Sequence, residues 1–417
     1  MITGIFEIAF ILLAVLMIVY LIRHYLFTLV VLKDIHKHHT KVIANNVPYQ
    51  PTVSILIPAH NEEKVIGRIL RRMTELTYPK DKLQIIVIDD GSTDNTGKLA
   101  EEYSKYNHIK VIHRTRAEGG HGKASALNVG LKYATGELIF CFDADYYPQR
   151  DIIEKIAREF VDPKVGVVQG RITVLNEPKN TVTRLVALER IGGYCVDQQA
   201  RDSLGLIVQF GGTVGGIRRS LLESLEGWDE SILAEDTDLT FRVYLAGYKV
   251  RYVQDAECYE EAVESWRAYW KQRYRWAKGH MQCAFKHSFN VLKSNNLSLR
   301  EKIDGLLLLN VYFMPILVLL SLVIGVPILL ELSQCSFVLW SFIPISLYSF
   351  VGNFAPFFEV GIGTYLDGRT RTQWLIPLMI FTFLYNIPIC TKAFLELFLS
   401  KITGRNSNNW TKTVHSG

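Results

Sequence analysis

The sequence predicts an α/β domain, a mostly parallel sheet with helices on both faces, inserted between an N-terminal membrane-spanning helix and a C-terminal bundle of spans. Three observations lead there. Short apolar runs such as "VSILIP", "LQIIVIDD" and "ELIFCFDAD" alternate with helical patterns such as "EEKVIGRILRRMTEL" and "NTGKLAEEYSKY" through residues 50–300, as βαβ units do. The runs end in turn or acidic residues, and open α/β sheets gather their ligands at the carboxyl ends of strands. Long apolar stretches lie on either side of this region.

Taken in order, residues 5–22, "IFEIAFILLAVLMIVYLI", are just long enough to span a bilayer. No small-residue cleavage site follows, so the run reads as an anchor rather than a signal peptide. Arg23, Lys33, Lys37 and Lys41 follow it and no Lys or Arg precedes it, which puts the N-terminus outside and the next segment in the cytoplasm. The expected organisation is an anchor and linker over 1–40, a cytoplasmic domain over 41–260, amphipathic interfacial helices over 261–300, spans over 301–402 and a polar tail over 403–417. The spans are placed at 305–330, 336–354 and 374–399, the last interrupted by Pro377 and Pro388. Three crossings leave the tail outside, whereas its Lys401, Arg405 and Lys412 favour the inside. The chain is thus expected to be a multi-pass protein of the cell membrane.

Of 417 residues, 49% are hydrophobic and the net charge is +5. That charge fits the cytoplasmic side of a membrane protein and assigns no nucleic-acid partner. The six cysteines are scattered with no C-x-x-C pair, which suggests neither a zinc site nor a disulfide framework.

Four acidic or basic clusters carry chemistry. In "VIDDGSTDNT" (87–96) a buried strand delivers Asp89 and Asp90 into a Gly-Ser turn, where carboxylates can hold a base or ribose; the same residues can cap the next helix. In "CFDADYYP" (141–148) Asp143 and Asp145 stand one residue apart at a strand end. Such a pair repels itself unless a cation intervenes, and Mg²⁺ takes one or two carboxylates plus phosphate oxygens. In "LAEDTDLTFRVYLAGY" (233–248) Glu235, Asp236 and Asp238 read either as first-turn helix charges or as a site with one general base, beside backbone brought close by "FGGTVGG". In "KQRYRWAKG" (271–279) a helix would put Gln272, Arg275, Trp276 and Gly279 on one face, with Arg273 flanking it, while Lys271 and Lys278 point elsewhere towards lipid headgroups. A basic membrane anchor is the plainer reading of that stretch. "GGHGKASALNVGL" (119–131) adds His121 and Lys123 ahead of a helix, a possible nucleotide-phosphate contact.

The order of these motifs, "PAHNEE" (58–63), "DDGS", "DAD", "ED" and "QRYRW", resembles the processive family 2 glycosyltransferases, the cellulose, hyaluronan, chitin and poly-N-acetylglucosamine synthases. The resemblance covers residues 50–290 and extends to the flanking spans. It implies a GT-A nucleotide-sugar-binding domain and Mg²⁺ or Mn²⁺ as cofactor. Ala59 and Glu62 then count with the substrate-binding residues, Asp89 contacts the nucleoside of a UDP-sugar, Asp143 supports the nucleotide and shares the metal, and Asp145 holds the metal at the diphosphate. Asp236 matches the general base, preceded by Glu235, although Ala234 stands where the family commonly has Thr. Gln272, Arg273, Arg275 and Trp276 match Q-x-x-R-W, with Arg on the diphosphate and Trp stacked on the acceptor. The implied reaction inverts the anomeric centre and gives a β-linkage. The implied product is an exopolysaccharide grown on its own polymer acceptor and passed into a membrane channel, with membrane lipid and a small accessory membrane subunit as further partners. A single-sugar transfer to a lipid, as in glucosyl-lipid synthases with the same signature, is the alternative, and an inactive export subunit a third. The F-x-V-T segment of bacterial cellulose synthase is absent after the "QRYRW" helix.

Overall fold

A computed structural model describes residues 2–38, 49–331 and 354–404. The chain opens with a 37-residue helix, α1 (Ile2–His38). There follow β1 (Val53–Ala59), α2 (Ile66–Thr74), β2 (Leu83–Asp90), α3 (Thr96–Glu101), β3 (Ile109–Arg114), α4 (Lys123–Leu131), β4 (Leu138–Cys141), β5 (Tyr147–Pro148), α5 (Ile152–Ala157) and β6 (Val165–Val174). Next come α6 (Thr181–Ile191), a π-helical segment (Gly192–Gln198), α7 (Gln199–Leu204), β7 (Gly215–Arg218), α8 (Arg219–Ser224), α9 (Glu235–Leu245) and β8 (Lys249–Glu260). The C-terminal part holds α10 (Trp266–Lys293), α11 (Leu299–Leu309), α12 (Met314–Glu331), a helix over 354–366 (α13), a 3₁₀ stretch (Thr370–Leu378) and α14 (Met379–Thr403).

The strands form one sheet in the order β3-β2-β1-β4-β7-β6-β8-β5. Strands β1, β2 and β4 are buried on nearly every residue, as expected of strands covered on both faces. They run parallel, with Ala59 opposite Asp89 and Leu56 opposite Cys141, so their carboxyl ends open on one side. The sheet is mixed, with four of its seven pairings parallel and three antiparallel. Strand β7 runs antiparallel to both β4 and β6, and β5 antiparallel to β8. The reason the sequence reading missed this is local: β7 is "GGIR" and β5 is two residues long, too short and too poor in side chains to show a period.

Among the described residues, two helical stretches are long and apolar enough to cross a membrane, Val15–Asp34 and Thr370–Thr403. The N-terminal helix does not stop at residue 22. Arg23 continues inside it because its guanidinium lies against Phe27, 5.2 Å from the ring centre, and faces Asp197 of the π segment at 3.4 Å. The expected single span 305–330 is broken: α11 and the following helix meet at a 43° bend. Asn310 ends α11 with its side chain on the Leu306 carbonyl, 2.8 Å away, and Pro315, which has no N–H to give a continuing helix, starts the next. The expected span 336–354 lies, but for its last residue, outside the described residues. Pro377 falls in the 3₁₀ stretch, and α14 runs unbroken past Pro388. The five described cysteines are free and buried.

Candidate active site

A cavity of about 500 Å³ opens at the carboxyl ends of β1 and β4. Its first wall is the turn after β1. Asn61 takes a left-handed backbone (φ 55°), its N–H donates to Ser92 Oγ at 2.9 Å, and the Glu62 N–H donates to Thr96 Oγ1 at 2.7 Å. Ala59, His60 and Glu62 border the cavity. So does Asp90, which accepts from Arg114 at 2.5 Å and from the Gly120 N–H at 2.9 Å. Asp89 is not among the lining residues. Successive strand residues point to opposite faces, and the Asp89 carboxylate accepts from the Ser92 N–H at 3.2 Å and pairs with His113 at 2.9 Å. Its hydrogen bond, with that of Glu101, raises the His113 pKa above the ordinary imidazole value.

At the floor, Lys123 opens α4 and pairs with Asp143 at 2.5 Å. Burial favours the neutral amine, but the carboxylates of Asp143 and Glu235 outweigh it and raise the Lys123 pKa. Asp145 is buried, and burial together with Asp143 and Glu260 pushes its pKa well above the carboxylate range. Its backbone is pinned by Arg68, which donates to the Asp145 carbonyl at 2.7 Å and to Glu261 at 2.6 Å. Val214, φ 54°, holds a conformation costly for a β-branched residue. It follows Thr213, whose Oγ1 accepts from the Asp143 N–H at 3.2 Å. Among the described residues no group of three or more His, Cys, Asp or Glu side chains forms a metal cage. Asp143 and Asp145 nevertheless fit a hard divalent cation that brings its remaining oxygens from water and phosphate, and a carboxylate whose pKa is raised by its neighbour is relieved by such a charge.

Opposite stands the N-terminus of α9. Glu235 and Asp236 border the cavity. Gly212, φ 75°, brings its backbone so near that an added Cβ would sit 3.0 Å from Asp236 Cβ. Burial and the adjoining Asp236 raise the Glu235 pKa to about 7. Asp238 takes no part: wholly buried, it binds Arg242 at 2.6 Å and Lys286 and His287 at 2.7 Å each, tying α9 to α10.

The stretch 271–279 lies within α10, capped by Ser265, which accepts from the Ala268 N–H at 3.2 Å. Gln272, Arg273, Arg275, Trp276 and His280 all border the cavity. Arg275 faces the acidic cluster of Glu235, Asp143 and Asp236, with burial lowering its pKa. Arg273 is engaged by Glu189 of α6, and its guanidinium lies over Trp276 at 4.5 Å. Arg190, held by Glu260 with its Nη2 at 3.0 Å, also lies over Trp276, at 5.1 Å. The lysines depart from expectation. Lys271 is exposed, but Lys278 is 3% exposed and pairs with Glu396 of α14 at 3.6 Å, so it meets a helix and not a headgroup. Sequence reading passed over Asp90 as a lining residue, Arg190, Tyr194, Glu260 and His280. Asp90 was visible in the DDGS motif; the others sit in no motif.

Residues 54–225 match the profile of Glycosyl transferase family 2. A probable glycosyltransferase of Bacillus subtilis, YdaM, is 42% identical over 58% of this chain and 58% of its own. A β-monoglucosyldiacylglycerol synthase of Nostoc sp. is 34% identical over 67% of this chain and 59% of its own. A poly-β-1,6-N-acetyl-D-glucosamine synthase of Staphylococcus epidermidis is 29% identical over 59% of each. The chain thus spans less than two thirds of the length of these relatives. Among solved structures, the mannosyltransferase PcManGT of Pyrobaculum calidifontis, in complex with GDP-Man and Mn²⁺, superposes with a TM-score of 0.56 over 87% of this chain and 99% of its own at 21% identity, which speaks for a shared fold. The stretch at residues 54–225 is thus similar to a family 2 glycosyl transferase domain.

Proposed function

We propose that the chain is a membrane-bound, inverting glycosyltransferase that moves one sugar from a nucleotide-sugar donor to a lipid acceptor, its transferase domain on the cytoplasmic side. The observation that carries this reading is the cavity wall near Trp276 and His280. It is completed by Leu308, Val311 and Tyr312 of the bent α11–α12 pair and by Arg23 of α1, so the cavity adjoins helices long and apolar enough to cross a membrane, α1 by itself and the α11–α12 pair taken together. An acceptor hydroxyl can arrive there from the bilayer. The similarity to a monoglucosyldiacylglycerol synthase adds support.

The proposed roles follow from charge. Asp236 takes the proton of the acceptor hydroxyl as its oxygen bonds the anomeric carbon; the bond to the diphosphate breaks on the opposite side. Lys123 and Arg275 hold the diphosphate and spread the charge that develops on it. Asp143 and Asp145 would hold a divalent cation, which supplies Lewis-acid stabilisation of the departing diphosphate when bound. Arg273 and Arg190 fix Trp276 through their cation–π contacts, and the indole edge remains for the acceptor.

Growth of a polysaccharide is the second reading, favoured by similarity to the poly-N-acetylglucosamine synthase. The full chain in lipid nanodiscs is given radiolabelled UDP-glucose, UDP-N-acetylglucosamine or GDP-mannose with diacylglycerol and Mg²⁺ or Mn²⁺, and products are separated by thin-layer chromatography and size exclusion. A chloroform-soluble product with one sugar is expected. A high-molecular-weight carbohydrate in its place would overturn the lipid-acceptor reading for the polymer one.

A further inference from the structure

One end of the cavity is built by residues that the transfer scheme leaves unused. Arg23 lies within the apolar stretch Val15–Asp34 of α1, where a charge is costly and marks function by default. Its side chain is 11% exposed and stands 3.4 Å from Asp197 of the π segment. A π segment in a longer helix is itself a frequent companion of a functional site. Asp197 accepts from Arg201 Nε at 2.8 Å, and Arg201, fully buried, also pairs with Asp304 of α11. Phe27 of α1 lies 5.2 Å from the Arg23 guanidinium and 5.4 Å from that of Arg201.

Two cations and two carboxylates balance in this network, yet it is not saturated. Arg23 Nε and Nη1, Arg201 Nη2 and Asp304 Oδ1 are buried without a hydrogen-bond partner, and Asp197 Oδ1, also without one, faces Arg23 Nη2 at 3.4 Å. Arg23, Asp197 and Arg201 border the cavity together with Gln198 and Gln209. A network that served only to fasten α1 would gain nothing from orphaned donors and acceptors at a cavity wall; each is destabilising until something fills its place. Gln198, next to Asp197 in the chain, and Gln209 carry this wall towards Asp236. The Gln209 N–H donates to Gln198 Oε1 at 3.1 Å, and Gln209 Nε2 donates to Thr237 Oγ1 at 2.8 Å, one residue beyond Asp236.

We propose that Arg23, Asp197 and Arg201 form the headgroup subsite of the acceptor, binding the hydroxyl and ester oxygens of an uncharged glycerolipid that enters beside α1. A hydroxyl both donates and accepts, which suits orphaned groups of both kinds with no net charge. A phosphate headgroup would set its own charge against Asp197 and Asp304. This inference rests on the lipid-acceptor reading above.

The test uses the wild-type chain in phosphatidylcholine nanodiscs and a diacylglycerol carrying a diazirine near its ester carbonyl. Irradiation and peptide mapping are expected to place the label within 20–27 and 193–209, with unlabelled diacylglycerol competing. Arg23→Met and Asp197→Asn should each lower that labelling and raise the KM for diacylglycerol by about tenfold or more, the worth of a lost charged hydrogen bond, while the KM for the nucleotide sugar moves little. Label confined to lipid-facing positions such as Leu12 and Val15, equal labelling by the matching phosphatidate probe, or equal competition by a soluble oligosaccharide would each overturn the proposal. If product analysis yields polymer, the single-sugar reading falls, and the wild-type label map still decides the subsite.

Discussion

Gly279 of α10 and Ala234, the residue before Glu235 and Asp236, touch backbone to backbone: a Cβ added at Gly279 would lie 2.6 Å from the Ala234 nitrogen and 2.7 Å from its Cβ. The glycine thus sets how close the helix carrying Arg275 and Trp276 comes to Glu235 and Asp236. Gly279→Ala must push the two apart. Displacements near 1 Å cost on the order of a hundredfold in rate, and overpacking costs about 1–3 kcal/mol of stability. The variant should therefore lose kcat well beyond what its thermal unfolding shift explains, measured on the same preparation by steady-state kinetics and calorimetry.

Asp236→Asn keeps the shape of the proposed base and removes its ability to take a proton. Turnover is expected to fall by roughly 10²–10⁴-fold while nucleotide binding, read by isothermal titration, survives. Near-normal turnover would reduce Glu235 and Asp236 to first-turn charges of α9.

Glu235 should give the reaction a pH dependence. Its pKa is raised from 4.5 to about 7, so it is neutral in the folded protein at pH 6 and gains its charge as the pH passes about 7. That new carboxylate sits beside Asp143 and Asp236 and repels the donor diphosphate. The KM for the nucleotide sugar is expected to rise above pH 7 in the wild type, and Glu235→Gln to flatten the rise. A parallel rise in both proteins would assign the effect to another group.

Chelation should abolish transfer. With EDTA, activity is expected to vanish and to return on addition of Mg²⁺ or Mn²⁺, and Asp145→Ala to weaken the metal-dependent part of nucleotide binding. Full activity in EDTA would remove Asp143 and Asp145 from any metal role.

The two lysines of the 271–279 stretch should separate. Lys271→Gln, on an exposed side chain, is expected to change stability by less than about 0.5 kcal/mol. Lys278→Gln leaves Glu396 without its buried cation and should loosen α10 from α14, seen as a lower unfolding temperature. Glu396→Gln in the Lys278→Gln background should recover part of the loss, as expected of a coupled pair.

The sequence by itself determined the parts that depend on near neighbours. Continuous apolar runs specify β1, β2 and β4 as buried parallel strands, and the acids that end them reach one side because a parallel sheet aligns its carboxyl ends. Helical spacing places Gln272, Arg275, Trp276 and Gly279 on one face of α10, and all but the glycine border the cavity. Only the tertiary structure decided which partner each charge takes. Arg273 is occupied by Glu189, 84 residues earlier, Lys278 by Glu396, and Asp89 by His113, so that Asp90 is the one turned to the cavity. The antiparallel β7, the bend at Asn310 and the cluster of Arg23, Asp197, Arg201 and Asp304 were settled there as well. Local periodicity records which way a side chain points along its own element, but the sign and reach of an ion pair come from elements that meet only after the chain has folded, and no spacing within either one encodes the other.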